Sequence, residues 1–124
     1  MSKNLIWASD INILADFYLK LFDAREIARD KNLIEVSSEF NSIIFHQIPS
    51  EYLAEDSVGK QSQVRSDAAI KPIFTVPSIS LALARIACEP SKLMGESFSY
   101  GIYLCQNLID PEGNVIQIQE ILTS

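Results

Sequence analysis

Few side chains in this chain are equipped for chemistry. His46 is the single histidine, and Cys88 and Cys105 are the two cysteines, 17 positions apart with no CxxC pair. Those numbers exclude a cysteine zinc site and a centre built from several histidines of one chain. An imidazole titrates near neutrality and can act as a general base or donate a hydrogen bond to a substrate. Such work needs an acid or nucleophile at its side. The sequence identifies none, so His46 reads first as a partly solvated strand histidine and second as the catalytic candidate. Cys105 reads as a buried strand residue, because a nucleophilic thiol requires a nearby base. Asp110 and Glu112 resemble a carboxylate pair. They sit in Asp110-Pro111-Glu112-Gly113-Asn114, a turn in which Asp serves the backbone, and they read as structural.

Composition narrows the partners. Ten Lys+Arg oppose sixteen Asp+Glu, a net charge of −6, and no basic block occurs. Nucleic acid is not expected as a partner, since its recognition begins with phosphate neutralisation. No apolar run reaches about 18 residues, so no membrane span is expected. The segment MSKNLIWASD lacks the charged region and long apolar core of a secretory signal. The cysteines are then expected as free thiols in a reducing cytoplasm. Hydrophobic residues at 48% and charged residues at 21% in 124 positions describe one folded domain with a real core.

The elements that position these residues follow from periodicity. Asn4–Ala8 reads as a strand. Asp10 supplies a helix N-cap, followed by Leu14, Phe17, Tyr18, Leu21 and Phe22 on one helix face. Strands are expected at Arg25–Arg29, Leu33–Ser37 and Ser42–Ile48. Residues 49–69 are polar and read as a linker, with a helical turn from Ser50 through Ala54. At 21 residues it is long for a loop inside a compact domain, which suggests a crossing between two halves. Pro72–Val76 is a strand. Ser78 caps a helix with Ile79, Leu83, Ile86 and Ala87 on one face. Phe98–Asn107 reads as one long strand containing Gly101, and Val115–Glu120 as the last.

The halves repeat. Setting Lys3 on Lys71 places Asp10 on Ser78, and setting Asn41 on Asn114 places Ile43 on Ile116 and Phe45 on Ile118. The two-residue period of a strand puts Ile6, Ala8, Ile43, Phe45, Phe74, Val76, Ile116 and Ile118 on faces suited to packing beneath helices. The opposite faces carry Lys3, Leu5 and Trp7; Ile44 and His46; Lys71, Ile73 and Thr75; Gln117 and Gln119. Polar tips on apolar bodies are what a ligand cleft is lined with. Trp7 and Tyr103 are its best aromatic candidates, with Tyr100 beside them, and a dimer interface is the alternative role for Trp7.

Taken together, Asp10-Ile11, Asp16-Phe17-Tyr18, Phe45-His46-Gln47-Ile48-Pro49 and the Asp110–Asn114 turn resemble the vicinal oxygen chelate superfamily of glyoxalases, bleomycin-resistance proteins and dioxygenases. The resemblance covers nearly the whole chain. It implies an α+β fold of two β-α-β-β-β modules, residues 1–48 and 70–124, forming a curved, partly open eight-stranded barrel-like sheet around a cleft. It also implies a homodimer.

Many members hold a divalent metal at four equivalent strand positions. Carried over, these fall on Lys3, Ile44, Lys71 and Gln117. Only Gln117 offers a ligating atom, and one neutral ligand cannot hold a transition metal. A shift of register by two would bring in His46 and Gln119, but the carboxylate is then missing unless Glu120 or a partner chain contributes it. The expectation is no cofactor and no metal centre. Lys3 and Lys71 are instead candidates to bind an anionic group such as a carboxylate or phosphate, against the plainer reading of exposed strand-start lysines. The ligand-binding candidates are Lys3, Trp7, His46, Lys71, Tyr103, Gln117 and Gln119. The function expected is binding of a small organic molecule, as in resistance-type members; the alternative is a lyase, isomerase or dioxygenase resembling lactoylglutathione lyase.

Overall fold

The structure is a computed structural model that describes residues 2–53, 64–65, 67–89 and 92–122. Its elements run β1 (Asn4–Ala8), α1 (Ile11–Leu21), β2 (Arg25–Arg29), β3 (Leu33–Ser37), β4 (Ser42–Gln47), a one-turn 3-10 helix (Ser50–Tyr52), β5 (Ile73–Thr75), α2 (Ile79–Arg85), β6 (Lys92–Tyr100), β7 (Tyr103–Ile109) and β8 (Val115–Ile121). The eight strands divide into two four-stranded sheets of like topology, β1-β4-β3-β2 and β5-β8-β7-β6. In each, the first strand lies parallel to the last, and the other pairs are antiparallel. The fold is therefore α+β, with two β-α-β-β-β units whose sheets do not close on one another. No helix among the described residues is long and apolar enough to cross a membrane.

The helices form where caps and apolar periodicity coincide. Asp10 Oδ1 accepts from Ile13 N–H at 3.2 Å, and Ser78 Oγ accepts from Leu81 N–H at 3.2 Å. Each satisfies one of the amides that a helix start leaves without a partner. A second device repeats too. The side chain at the end of β4 or β8 reaches the first residue of its helix: Gln47 Oε1 accepts from Ile11 N–H at 3.0 Å, and Glu120 Oε1 from Ile79 N–H at 2.7 Å. The expected face of α1 is buried in full. In α2 the buried residues are Ile79, Ala82 and the capping Ile86; Leu83 is half-buried and Ala87, beyond the helix end, is exposed.

One core serves both units. Ile43 and Phe45 of β4, Phe74 of β5, and Ile116 and Ile118 of β8 are all buried in it together with α1 and α2. Tyr18 is its hinge pin, with its ring centroid 5.4 Å from Phe45 in one unit and 6.0 Å from Phe74 in the other. Further ties cross between the units. Arg85 Nη1 donates to Leu21 O at the end of α1 at 3.1 Å, Lys20 is ion-paired with Glu89, and Asn41 Nδ2 donates to Thr75 O at 2.8 Å.

The structure corrects the reading of the last quarter of the chain. Residues 98–107 are not one strand. They fold back at Gly101-Ile102, with Tyr100 opposite Tyr103 across the turn. Gly101 has φ of +59° and Ile102 does not share it. A two-residue hairpin of that form takes glycine at its first central position because only there is φ positive. The run Tyr-Gly-Ile-Tyr conceals the turn, since every residue around the glycine favours strands. Pairing of β6 with β7 also shifts register between Met94 and Phe98, and Gln106 Nε2 donates to Gly95 O there at 3.1 Å. Smaller differences lie at ends. β4 stops at Gln47 rather than Ile48, β5 covers Ile73–Thr75 within the expected 72–76, and the turn after Pro49 is Ser50–Tyr52. Most of the linker, residues 54–63 and 66, lies outside the described residues.

The Asp110–Asn114 turn has the structural role expected of it, and its reach is longer than a turn needs. Asp110 Oδ1 accepts from Glu112 N–H and Asn114 N–H, both at 2.9 Å, while Oδ2 accepts from Asn114 Nδ2 at 2.9 Å and from the Tyr18 hydroxyl at 2.8 Å. Glu112 accepts from Ser9 N–H at 2.7 Å and Asp10 N–H at 2.9 Å. The turn before β8 is thus stapled to the start and middle of α1. Burial pushes the Tyr18 phenol well above its ordinary value, and the adjacent Asp110 carboxylate adds to the rise.

Candidate functional site

Because Ile43, Phe45, Ile116 and Ile118 are committed to the core, the alternate residues of the same strands occupy the helix-free face of each sheet. These open faces hold the site candidates. On the first sheet, Trp7, His46 and Leu33 form one row, with Leu5, Ile44, Glu35 and Ala28 in the next. On the second, Thr75, Gln119, Cys105 and Phe98 form a row, with Ile73, Gln117, Asn107 and Met94 alongside and Tyr103 beside Ile121 at the far end. The two patterns superpose. Leu5 beside Ile44 corresponds to Ile73 beside Gln117, which makes Lys3 and Lys71 equivalent.

Trp7 and His46 are brought together. They are direct partners on the parallel strands β1 and β4, and their rings lie 4.7 Å apart at 53°. Trp7 is 53% exposed, high for the largest apolar side chain in the chain. His46 is half-buried, and its Nδ1 lies 3.0 Å from Gln47 O. A carbonyl only accepts, so Nδ1 carries the proton and neutral His46 keeps Nε2 as an acceptor. No Asp, Glu or Cys side chain hydrogen-bonds to this ring among the described residues.

The two lysines are not equivalent in charge. Lys3 Nζ stands 2.8 Å from Glu35 Oε2, an ion pair. It lacks hydrogen-bond alignment, so that oxygen, closed off from solvent, accepts no hydrogen bond. Lys71 Nζ donates to the neutral amide oxygen Asn107 Oδ1 at 3.2 Å. Glu35 and Asn107 occupy matching places on β3 and β7, opposite Ile44 and Gln117. Neither was among the candidates drawn from the sequence. They lie on middle strands whose pairing no local spacing reveals, and only their place in the two-residue alternation marks them.

Gln117 is 6% exposed, and its side chain makes no hydrogen bond among the described residues. Gln119 is half-buried and donates from Nε2 to Thr75 Oγ1 at 3.2 Å. Tyr103 is half-buried at the turn end of its sheet, and Tyr100 projects at 73% exposure. Cys105 is buried and Cys88 exposed, both as free thiols. Two hollows form away from the open faces. One of about 100 Å³ lies between the units against Phe22, Asn41 and Val76, and one of about 540 Å³ lies over Asn12, Arg29 and Glu89. Neither includes a site candidate.

The family metal does not fit these residues. Lys3 and Lys71 are cations engaged with Glu35 and Asn107, Ile44 has no donor atom, and Gln117 alone offers a neutral oxygen. Shifting the register by two does not supply the missing carboxylate, because Glu120 is committed to Ile79 N–H beside α2. No group of three or more His, Cys, Asp or Glu side chains arranged to hold a metal occurs among the described residues.

No family model matches the sequence, and no curated protein matches it. Solved structures do match. A glyoxalase/bleomycin resistance protein/dioxygenase family enzyme from Burkholderia phytofirmans PsJN superposes with a TM-score of 0.71 at 20% identity, covering 98% of each chain. A bleomycin resistance determinant encoded on transposon Tn5 gives 0.64 at 11% identity, over 99% of this chain and 98% of that one. The genomically encoded fosfomycin resistance protein FosX from Listeria monocytogenes gives 0.66 at 14% identity, over 97% and 91%. The fold is that of the glyoxalase/bleomycin-resistance/dioxygenase proteins, in agreement with the vicinal oxygen chelate resemblance of the sequence. At these identities the likeness defines the fold alone.

Proposed function

We propose that this chain binds a small organic molecule on the open faces of its sheets, without the metal centre that the superfamily resemblance implies for many members. The observation that carries the proposal is the character of those faces. Exposed Leu5, Trp7, Ile73 and Tyr100 are interleaved with the polar tips of His46, Gln117, Gln119 and Tyr103. Apolar bodies with a few convergent polar groups are the chemistry of a ligand site rather than of a solvated sheet surface. The names of two fold neighbours, a bleomycin resistance determinant and a fosfomycin resistance protein, support a small-molecule ligand. A binding role is favoured over a lyase, isomerase or dioxygenase role because the His46 ring meets a tryptophan and a backbone carbonyl, with no acid or nucleophile hydrogen-bonded to it among the described residues.

The same exposure supports pairing of two copies. Apolar side chains half in water on both faces are suited to burial against a second chain, and a homodimer would turn open faces into a cleft. The free thiols support a cytoplasmic setting. The test is a thermal-shift screen of small organic acids, amides and aromatics, paired with metal analysis of the purified protein. Binding to the native state alone raises the melting temperature. The proposal expects hits that Trp7→Ala removes, and no stoichiometric metal. A stoichiometric divalent ion lost on His46→Ala would overturn the metal-free reading, and glyoxalase turnover of a glutathione hemithioacetal would overturn the binding reading.

A further inference from the structure

The two equivalent lysines differ in the charge beside them, and the difference selects a ligand class. On the first sheet the positive charge of Lys3 is met by Glu35, whose side chain is 14% exposed and flanked by Ile44 and Ala28. On the second sheet the matching position is Asn107, which accepts a hydrogen bond from Lys71 and leaves its charge uncompensated among the described residues. Lys92 on the edge strand β6 shares that open face by register, two residues from Met94. The described acids of these strands are Glu96, in the irregular stretch of β6, and Glu120, which turns to the helix side. A face with two lysines and no carboxylate in its central rows stands on a chain of net charge −6. Beside it lies Gln117, a residue only 6% exposed, whose side-chain amide makes no hydrogen bond to the described residues. An amide N–H on this face can donate to a ligand oxygen beside the lysine ammonium.

We infer that the ligand is an organic anion, its carboxylate or phosphate-type group held by Lys71 and the Gln117 amide on the second sheet, with Lys3 excluded from that task by Glu35. The inference rests on the small-molecule reading above and deepens it. It replaces the expectation that both lysines serve the anion. It also gives the mismatch with the family metal a meaning: an ammonium group and amide donors attract ligand oxygens where a metal would, with one positive charge instead of two.

The experiment uses matched probes: benzoate with benzamide, phenylphosphonate with inorganic phosphate, and a library of neutral aromatics. Affinities are read by isothermal titration and by NMR at two salt concentrations. Benzoate or phenylphosphonate is expected to bind more tightly than benzamide and inorganic phosphate, and more weakly as salt rises. Lys71→Gln is expected to lower the anion's affinity about tenfold, the scale for losing one partner of a charge-assisted contact, while Lys31→Gln on a distant turn leaves it unchanged. Two exchanges separate charge from folding. Asn107→Glu copies the first sheet onto the second and is expected to abolish anion binding with Lys71 still present. Glu35→Gln frees Lys3 and is expected to add a second anion site. Equal binding of benzoate and benzamide, or unchanged affinity in both Lys71→Gln and Asn107→Glu, would overturn the anion inference and leave the small-molecule reading standing. Binding of library members that are all neutral would do the same. No binding by any probe would overturn both.

Discussion

Replacing Tyr18 by phenylalanine removes one buried hydrogen bond and leaves the ring packing in place. The Tyr18 hydroxyl is fully buried and donates to Asp110 Oδ2 at 2.8 Å, while its ring meets Phe17, Phe22, Phe45 and Phe74. A hydrogen bond to a charged acceptor contributes about 1.5–3 kcal/mol net. Asp110 keeps three other donors, from Glu112 N–H, Asn114 N–H and Asn114 Nδ2, so its carboxylate is not stripped bare. The loss should therefore fall near the lower end, about 1.5–2 kcal/mol, or roughly 5–10 °C in melting temperature for a chain of this size. Urea unfolding followed by circular dichroism measures it, with Tyr52→Phe at an exposed position as the control, expected within about 0.5 kcal/mol of the parent. A pH series adds the sign. The folded phenol titrates above its unfolded value, so its contribution is full below about pH 10 and is lost as pH rises past that value toward the folded one. The gap between parent and Tyr18→Phe should then narrow in alkaline solution. A loss under about 0.5 kcal/mol at neutral pH, or a gap that widens with alkali, would refute the claim that this contact clamps the Asp110 turn to α1.

Two further substitutions probe the turn and the site. Gly101→Ala places a side chain at φ +59°, where the space around the glycine is open, so the cost is conformational alone: about 1–2 kcal/mol in urea unfolding, with Gly101→Asn costing less. Trp7→Ala should change stability by under about 1 kcal/mol because the side chain is half in water, yet lower the affinity of any thermal-shift hit by about tenfold or more; equal affinities would remove Trp7 from the site.

Much of this arrangement is legible in the sequence because the chain states it twice. The Lys3 to Lys71 and Asn41 to Asn114 correspondences survive in the strand register, since each parallel pair must bury the same alternate residues under its helix. Trp7 and His46 are recognisable as open-face residues by the same two-residue period. What local pattern cannot convey is partnership between distant strands. Glu35 and Asn107 decide the charge beside the lysines, and both act through strands that pair only after folding. Glu112 reads as a turn residue, while its bonds reach 103 and 102 positions back to Ser9 and Asp10. Gly101 was hidden by strand-forming neighbours, so the β6–β7 hairpin emerged only in the fold.

Chemical-shift mapping tests the central claim most directly. The 15N-labelled protein is titrated with the strongest hit of the thermal-shift screen, and perturbed amide, indole and side-chain amide signals are placed on the structure. The account predicts saturable shifts at the Trp7 indole, His46, Tyr103 and the side-chain amides of Gln117 and Gln119. Shifts confined to the hollow over Asn12, Arg29 and Glu89, with the open faces silent, would contradict it.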